Sequence, residues 1–235
     1  LKLGLSESIA VNGNVDCFEV TNNKVHDNNN IIGIVLIGLE GVSPVAALDQ
    51  VRNEIVRKNI VHHNSPFNNT SYNEYSPDGI YVDGGKDIII EQNQSYENDL
   101  GIKLASEHTG KNASQITVRD DTISNNIMSG IAISGYDNQQ GYPENNTITN
   151  NIIYKNHTKD QESGQTELNY DTRNNVITNN HIDASNSRIF ISNNFNKNTG
   201  NKLDYNHYYG EFDQSNSLWQ WKRKCIKYFS LIKQV

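Results

Sequence analysis

The stretch Ile148-Thr149-Asn150-Asn151-Ile152-Ile153 is followed by Val176-Ile177-Thr178-Asn179-Asn180-His181-Ile182, the same unit 29 residues later when measured from Asn151 to Asn180. Each copy is a short apolar alternation, one or two polar residues, an asparagine, and an apolar residue just beyond it. Working outward, the unit returns as Phe18-Glu19-Val20-Thr21-Asn22-Asn23-Lys24-Val25, as Ile88 to Asn93, as Ile116 to Ile123 and as Leu203 to Tyr208. Aligned on the anchor, the series is Asn23, Asn59, Asn93, Asp121, Asn151, Asn180 and Asn206, with spacings of 36, 34, 28, 30, 29 and 26 residues. A repeat of that period built from period-two runs, with no helix-period segment between them, predicts a solenoid whose coils bury their apolar side only against one another. An asparagine recurring at one position of every coil lets each amide bond the amides above and below, which predicts a buried ladder. Asp121 fits such a ladder as a neutral acid and is costly there as a charge.

Composition is consistent with this. Apolar residues make up only 35% of the 235, and mean hydropathy is -0.69. They nevertheless cluster as Ile, Val, Leu and Tyr in alternating runs, which excludes a disordered chain. The net charge of -7 argues against a nucleic-acid backbone as partner. No run approaches the length of a membrane-spanning helix, so no membrane partner is expected. Cys17 and Cys225 stand at opposite ends of a stacked repeat, too far apart for a disulfide. The chain opens at Leu1 with no leader pattern, which reads as a mature or trimmed piece.

A second unit, Gly-Ile-x-apolar, follows the anchors: Gly33-Ile34-Val35-Leu36, Gly79-Ile80-Tyr81-Val82, Gly101-Ile102-Lys103-Leu104 and Gly130-Ile131-Ala132-Ile133. Together the two units resemble the right-handed parallel β-helix repeats of the pectate-lyase-like superfamily, over roughly residues 16 to 212. Asp78 to Gly85, Leu100 to His108 and Ser134 to Asp137 are similar to one uncharacterised bacterial branch of that group, in which an acid is expected where this chain has Lys103. The expected architecture is an all-β, single-stranded right-handed parallel β-helix of about six to seven coils over residues 1–212. Residues 213–235, with Trp219, Trp221, Lys222, Arg223 and Lys224, are expected to form a C-terminal cap or a truncated last coil.

Strand alternation sorts the Gly-Ile units by face. Ile80, Val82, Ile102, Leu104, Ile131 and Ile133 are expected inside; Tyr81, Asp83, Lys103, Ala105, Ala132 and Ser134 outside. Adjacent coils lie about 4.8 Å apart, so Tyr81 stacks over Lys103 with Asp83 diagonal to it. Glu107 and His108, Tyr136 and Asp137, and Glu167 extend the patch, and the long segment Asn64–Pro77, with Tyr72 and Tyr75, is expected to form one wall.

An ionisable patch beside aromatic rings suits polysaccharide chemistry in an extracellular or cell-surface protein. A β-elimination lyase or C5-epimerase acting on a uronate polymer has to neutralise the carboxylate, remove the adjacent proton and return one. Among Lys103, His108, Tyr81, Asp83 and Glu107 as catalytic candidates, the acids around Lys103 make it the carboxylate clamp and leave His108 or Tyr81 as base. Tyr136, Asp137, Glu167, Tyr72 and Tyr75 are the substrate-binding candidates, and Asp83, Glu107 and Asp137 the candidates to hold Ca²⁺. The alternatives are a glycoside hydrolase using paired carboxylates and a non-catalytic glycan-binding, adhesin-like or tail-spike-like domain. Each residue also has an ordinary reading: Lys103 as a weak surface ion pair, His108 as a solvated turn residue, Asp83 as a turn former before Gly84-Gly85.

Overall fold

A computed structural model describes residues 7–29, 31–76, 78–159, 163–184, 188–210, 218–221 and 224–226. The chain is a right-handed parallel β-helix. Three parallel sheets run along the solenoid, and successive coils add their strands to each in turn; in the second sheet two coils supply a pair of short strands, Ala113–Ser114 with Thr117–Arg119 and Pro143–Glu144 with Thr147–Thr149. The first sheet holds Glu7–Asn12, Ile32–Ile37, Asp78–Asp83, Leu100–Ser106, Ile131–Gly135, Thr166–Leu168, Ile189–Asn193 and Leu218–Trp221. The second is centred on Arg52–Arg57, Lys86–Glu91 and Thr117–Arg119, and the third on short strands such as Gln94–Tyr96 and Thr122–Ser124. Leu218–Trp221 continues the first sheet in parallel, and Lys224–Ile226 turns back on it antiparallel. Of the tail, residues 211–217, 222–223 and 227–235 lie outside the described residues, as does Pro77.

The alternation places the apolar residues as expected. Ile80, Val82, Ile102, Leu104, Ile131 and Ile133 are fully buried in one continuous core with Ile90, Val118, Ile148 and Ile177 of the second sheet and Ile123, Ile153 and Ile182 of the third.

Corners between sheets are tight because the residue before each anchor adopts the left-handed conformation: Asn22, Lys58, Gln92, Asp120, Asn150, Asn179 and Tyr205 all have φ between 52° and 58°. Asparagine and aspartate tolerate that region better than lysine, glutamine or tyrosine, which sit there at about 1 kcal/mol each. What holds them is the ladder. The Asn59 side-chain amide donates to Asn93 Oδ1 at 3.0 Å and also to the Val20 carbonyl, while its own Oδ1 accepts from the Asn23 side chain and backbone. The same pair of donor bonds recurs at Asn93, Asn151 and Asn180.

Two further ladders were not anticipated. Asn28, Asn64, Asn98, Asn126 and Asn156 form a second column at the corner into the first sheet, ending on Gln165. Asn146, Asn175 and Asn201 form a third at the entry to the second sheet. The signal was present in the sequence: Asn28, Asn64, Asn98, Asn126 and Asn156 each stand five residues after an anchor, and Asn146, Asn175 and Asn201 five before one.

Asp121 is the one acid in the first column. Its Oδ1 accepts from the Asn93 backbone and side chain at 2.7 and 2.9 Å, but its Oδ2 is buried without a partner. Burial pushes its pKa up to about 7, against the pull of the Asn93 donors. Such an acid favours folding while protonated; the benefit is complete below the unfolded pKa of about 4 and is lost as pH rises through about 7. Asp121→Asn supplies the missing amide, so it is expected to raise stability by roughly 1–3 kcal/mol above pH 7 and by much less at pH 5. Asn93→Leu orphans donors and acceptors on both sides and is expected to cost roughly 1–3 kcal/mol at any pH. Thermal unfolding of the two variants across pH checks both; a neutral Asn93→Leu counts against the ladder as the element that secures the corners.

Candidate functional site

Gly79 sets how the site's first strand begins. A Cβ there would lie 2.7 Å from Asn98 Nδ2 and 2.8 Å from the Gly101 carbonyl oxygen, so only glycine fits against the second ladder. Its neighbour Ile80 is also fully buried in the core. Two successive positions therefore face inward and the alternation slips by one. Asp78 is turned to the outer face as a result, with its Oδ2 3.8 Å from Lys103 Nζ.

The strands stack as Val35, Tyr81, Lys103, Ala132, Glu167 and Ser192 in one outward column, with Ile37, Asp83, Ala105 and Ser134 beside it. This outer face has an apolar floor of its own, formed by Ile32, Val35, Tyr81 and Ala105. Tyr81 is only 3% exposed. Its ring lies 4.6 Å beneath Lys103 Nζ and its hydroxyl donates to Glu107 Oε1 at 3.2 Å.

Around Lys103 the acids converge. Burial works against the lysine's charge, but Asp78, Glu107, Asp83 and Glu167 outweigh it and hold the ammonium above the ordinary lysine range. Burial pushes Asp78 up to about 7, with Lys103 pulling the other way, and Asp78 Oδ1 is buried without a partner. Burial likewise pushes Glu167 up to about 7, opposed by the Ser129 hydroxyl, which donates to it at 3.3 Å, and by Lys103. Tyr81 is raised well above the usual phenol value by burial and then by Asp83 and Glu107. The group is thus one cation beside two acids, Asp78 and Glu167, that titrate near neutrality.

His108 sits at the far edge of the same strands. Its Nε2 is 3.1 Å from Asp83 Oδ2 and its Nδ1 2.9 Å from Glu40 Oε2. A neutral imidazole carries one N–H, so satisfying both contacts needs a second proton on the ring or one on Asp83. Asp83 is itself raised, by burial first, although the Glu107 backbone N–H donates to its Oδ1 at 2.7 Å. The carboxylate of Glu40 also accepts from the Thr109 backbone, which fixes the loop around His108.

The remaining expected residues fall in other places. Asp137 turns its carboxylate onto its own loop, accepting from Gln139 and Gln140 backbone N–H groups at 2.7 and 3.0 Å, and Tyr136 is exposed. Among the described residues no three His, Cys, Asp or Glu side chains are grouped so as to hold a metal ion, so Asp83, Glu107 and Asp137 do not form the Ca²⁺ set expected from the sequence. Tyr72 is exposed, while Tyr75 stacks on Phe67 with ring centroids 4.2 Å apart. Asp78, Ser129, Glu40 and Lys159 were missed by reading the sequence. Alternation alone puts position 78 inside, and Glu40 and Lys159 belong to other corners.

The fold and this face define an all-β solenoid with an ionisable cluster built across adjacent coils. No family model matches the chain. Over 231 residues, 98% of its length, the chain is 50% identical to the uncharacterized protein YwoF of Bacillus subtilis (strain 168). It spans about half the length of that curated relative, 48%.

Replacing Lys103 by Met removes the cation that faces Asp78 and Glu167. Both acids are raised, so their contribution is present below pH about 4 and is lost as they ionise through about 7. Without Lys103 that loss extends to higher pH. The fall in melting temperature relative to the parent is therefore expected to be larger at pH 9 than at pH 5.5. Equal falls at both pH values would mean that Lys103 is not coupled to the acids.

Proposed function

We propose that this face processes an anionic polysaccharide, by β-elimination or C5 epimerisation of a uronate, as the enzyme of a pectate-lyase-like β-helix acting outside the cell or at its surface. The observation that carries the reading is Lys103: a charged lysine over an aromatic ring, beside two acids that remain protonated up to about pH 7. With Asp78 and Glu167 neutral, Lys103 is free to pair with a substrate carboxylate, and that pairing stabilises the charge that develops when the neighbouring C–H proton leaves. In this reading Tyr81 is the first candidate base, taking that proton while it passes its own to Glu107, to which it already donates. His108, oriented by Asp83 and Glu40, is the second candidate base. Glu167 and Asp78 supply the proton returned to the leaving oxygen or the opposite ring face.

A second reading, hydrolysis, is favoured by the same pair of raised acids, since a glycosidase needs one carboxyl held protonated as general acid. One assay on polygalacturonate, alginate and glycosaminoglycans separates the outcomes. Elimination gives ultraviolet absorbance from the new double bond, hydrolysis gives reducing ends without it, epimerisation changes sugar composition without cleavage, and a binding domain gives none of these. For elimination, Lys103→Ala is expected to raise KM, and Tyr81→Phe or His108→Ala to lower kcat by about 10²-fold or more without unfolding the chain. The donor form of Glu167 and Asp78 is lost as pH rises, so kcat is expected to fall above pH about 7. If Lys103→Ala, Tyr81→Phe and His108→Ala all retain the parent's activity, the chemistry lies elsewhere on the protein.

A further inference from the structure

Two corners that feed the candidate site carry long insertions. Residues 64–77 lead into the strand that begins at Asp78, and residues 156–165 lead into the strand that carries Glu167. The corners of the two coils between them are tight, residues 98–100 and 126–130. The insertions meet across that gap. Phe67 and Tyr75 of the first stack nearly parallel, 10° apart, and Lys159 of the second places its Nζ 4.2 Å from the Tyr75 ring centroid and 5.2 Å from that of Phe67. Below them the Ser76 backbone N–H donates to Asp99 Oδ2 at 3.0 Å, fastening the first insertion to the turn it crosses.

Lys159 differs from the other lysines near this sheet. Lys103, Lys111 and Lys197 each face a carboxylate, Asp78 at 3.8 Å, Asp49 at 3.3 Å and Asp171 at 2.8 Å. Lys159 is exposed, and among the described residues no carboxylate lies within ion-pair distance of it; its ammonium rests on ring faces, and its charge reaches Asp99 only as a pull that opposes the rise burial gives that acid. A cation held over aromatic rings is oriented and partly dehydrated, and it keeps its remaining donors for a ligand. Aromatic faces pack against the C–H faces of sugar rings, while an ammonium takes a carboxylate or sulfate.

We infer that Phe67, Tyr75 and Lys159 form a second anion-binding sugar subsite, on the wall beside Lys103, so that the substrate is a glycan charged on more than one of its sugars. The inference deepens the reading of this face as a uronate-processing site and rests on it for the identity of the polymer. Lys103 holds the sugar at which reaction occurs. Lys159 holds a neighbouring sugar, and the ring pair fixes the chain's path along the wall.

Binding is the readout, because it does not require turnover. Calorimetric titration of the full chain with polygalacturonate and alginate oligomers, and with dextran as neutral control, compares parent with Lys159→Gln, Tyr75→Ala and Phe67→Ala. These residues lie on surface insertions, and unfolding curves confirm that each variant is folded. Lys159→Gln is expected to weaken binding of an anionic oligomer about tenfold and to flatten its salt dependence. Tyr75→Ala and Phe67→Ala are expected to weaken it similarly at all salt concentrations. A parent that binds anionic oligomers in this Lys159-dependent way but converts none supports the subsite and overturns the proposed chemistry. A parent that converts uronate polymers while Lys159→Gln keeps both KM and its salt dependence overturns the subsite and leaves the chemistry standing. Binding of dextran as tight as that of the anionic oligomers, or no binding of either, also overturns the subsite.

Discussion

Most corners between the sheets, among the described residues, are made by one residue in the left-handed conformation followed by one buried asparagine, with Asp121 taking that place in one coil, and the rest of the structure depends on that pair. Reversing the chain within so few residues leaves backbone groups at the corner that no strand can pair, and the coil above offers them nothing apolar in exchange. The asparagine answers both needs. Its oxygen takes the N–H of the coil before it, and its nitrogen takes a carbonyl of that coil and the amide oxygen of the coil after. Because each amide bonds its like, the corners are held in register one above another. Strands such as Asp78–Asp83 and Leu100–Ser106 then stack residue on residue. The left-handed positions at Lys58, Gln92 and Tyr205 show the strength of that constraint, since these side chains gain nothing from the conformation themselves.

This explains which parts were legible in the sequence. A period near thirty, a recurrent asparagine and two-residue alternation each follow from stacking, so the solenoid, its core and the first ladder were readable residue by residue. The second and third ladders obey the same logic at an offset of five residues and were visible in principle. Their asparagines lie at corners where the flanking strands are short or interrupted, so no apolar alternation as long as that around the first anchor marks them. The site was only partly legible. Alternation put Tyr81, Asp83 and Lys103 on one face, and the register bears this out. It said nothing of Asp78, and carried back two residues from Ile80 it would place that acid inside, because the rule of two assumes an unbroken strand. The corner at Gly79 breaks the strand, and it does so for a packing reason: the glycine faces the ladder and leaves no room for a side chain.

Exposure was the other quantity that alternation did not convey. An outward residue on a sheet face was expected to meet solvent, yet Tyr81, Ala105 and Ala132 are nearly as buried as the core. Burial on this face gives Asp78 and Glu167 their raised pKa values. On an open sheet, solvent would screen Asp78 and Glu167 and they would ionise as ordinary carboxyls. Residues far apart in sequence become one electrostatic unit because the coils bring them together: Asp78, Glu107, Asp83 and Glu167 all act on Lys103.

A stacked repeat offers the same outward face on every coil, so something has to distinguish one stretch of it as a site. Here the distinction comes from departures from the repeat. The two insertions fall on the coils that carry Asp78 and Glu167, and the coils between them, which carry Lys103 and Ser129, keep short corners. The result is a floor four coils long with a wall fastened at both ends. Within it, a single lysine counterbalances several acids. Were the acids all ionised, the face would repel an anionic polymer; were the lysine unpaired in an apolar surround, burial would strip its charge. The arrangement avoids both. Glu107 and Asp83 help keep Lys103 charged, while burial raises Asp78 and Glu167 to about 7. The face thus presents one cation beside two carboxyls that titrate near neutrality, and its net charge is set by how far those two have ionised.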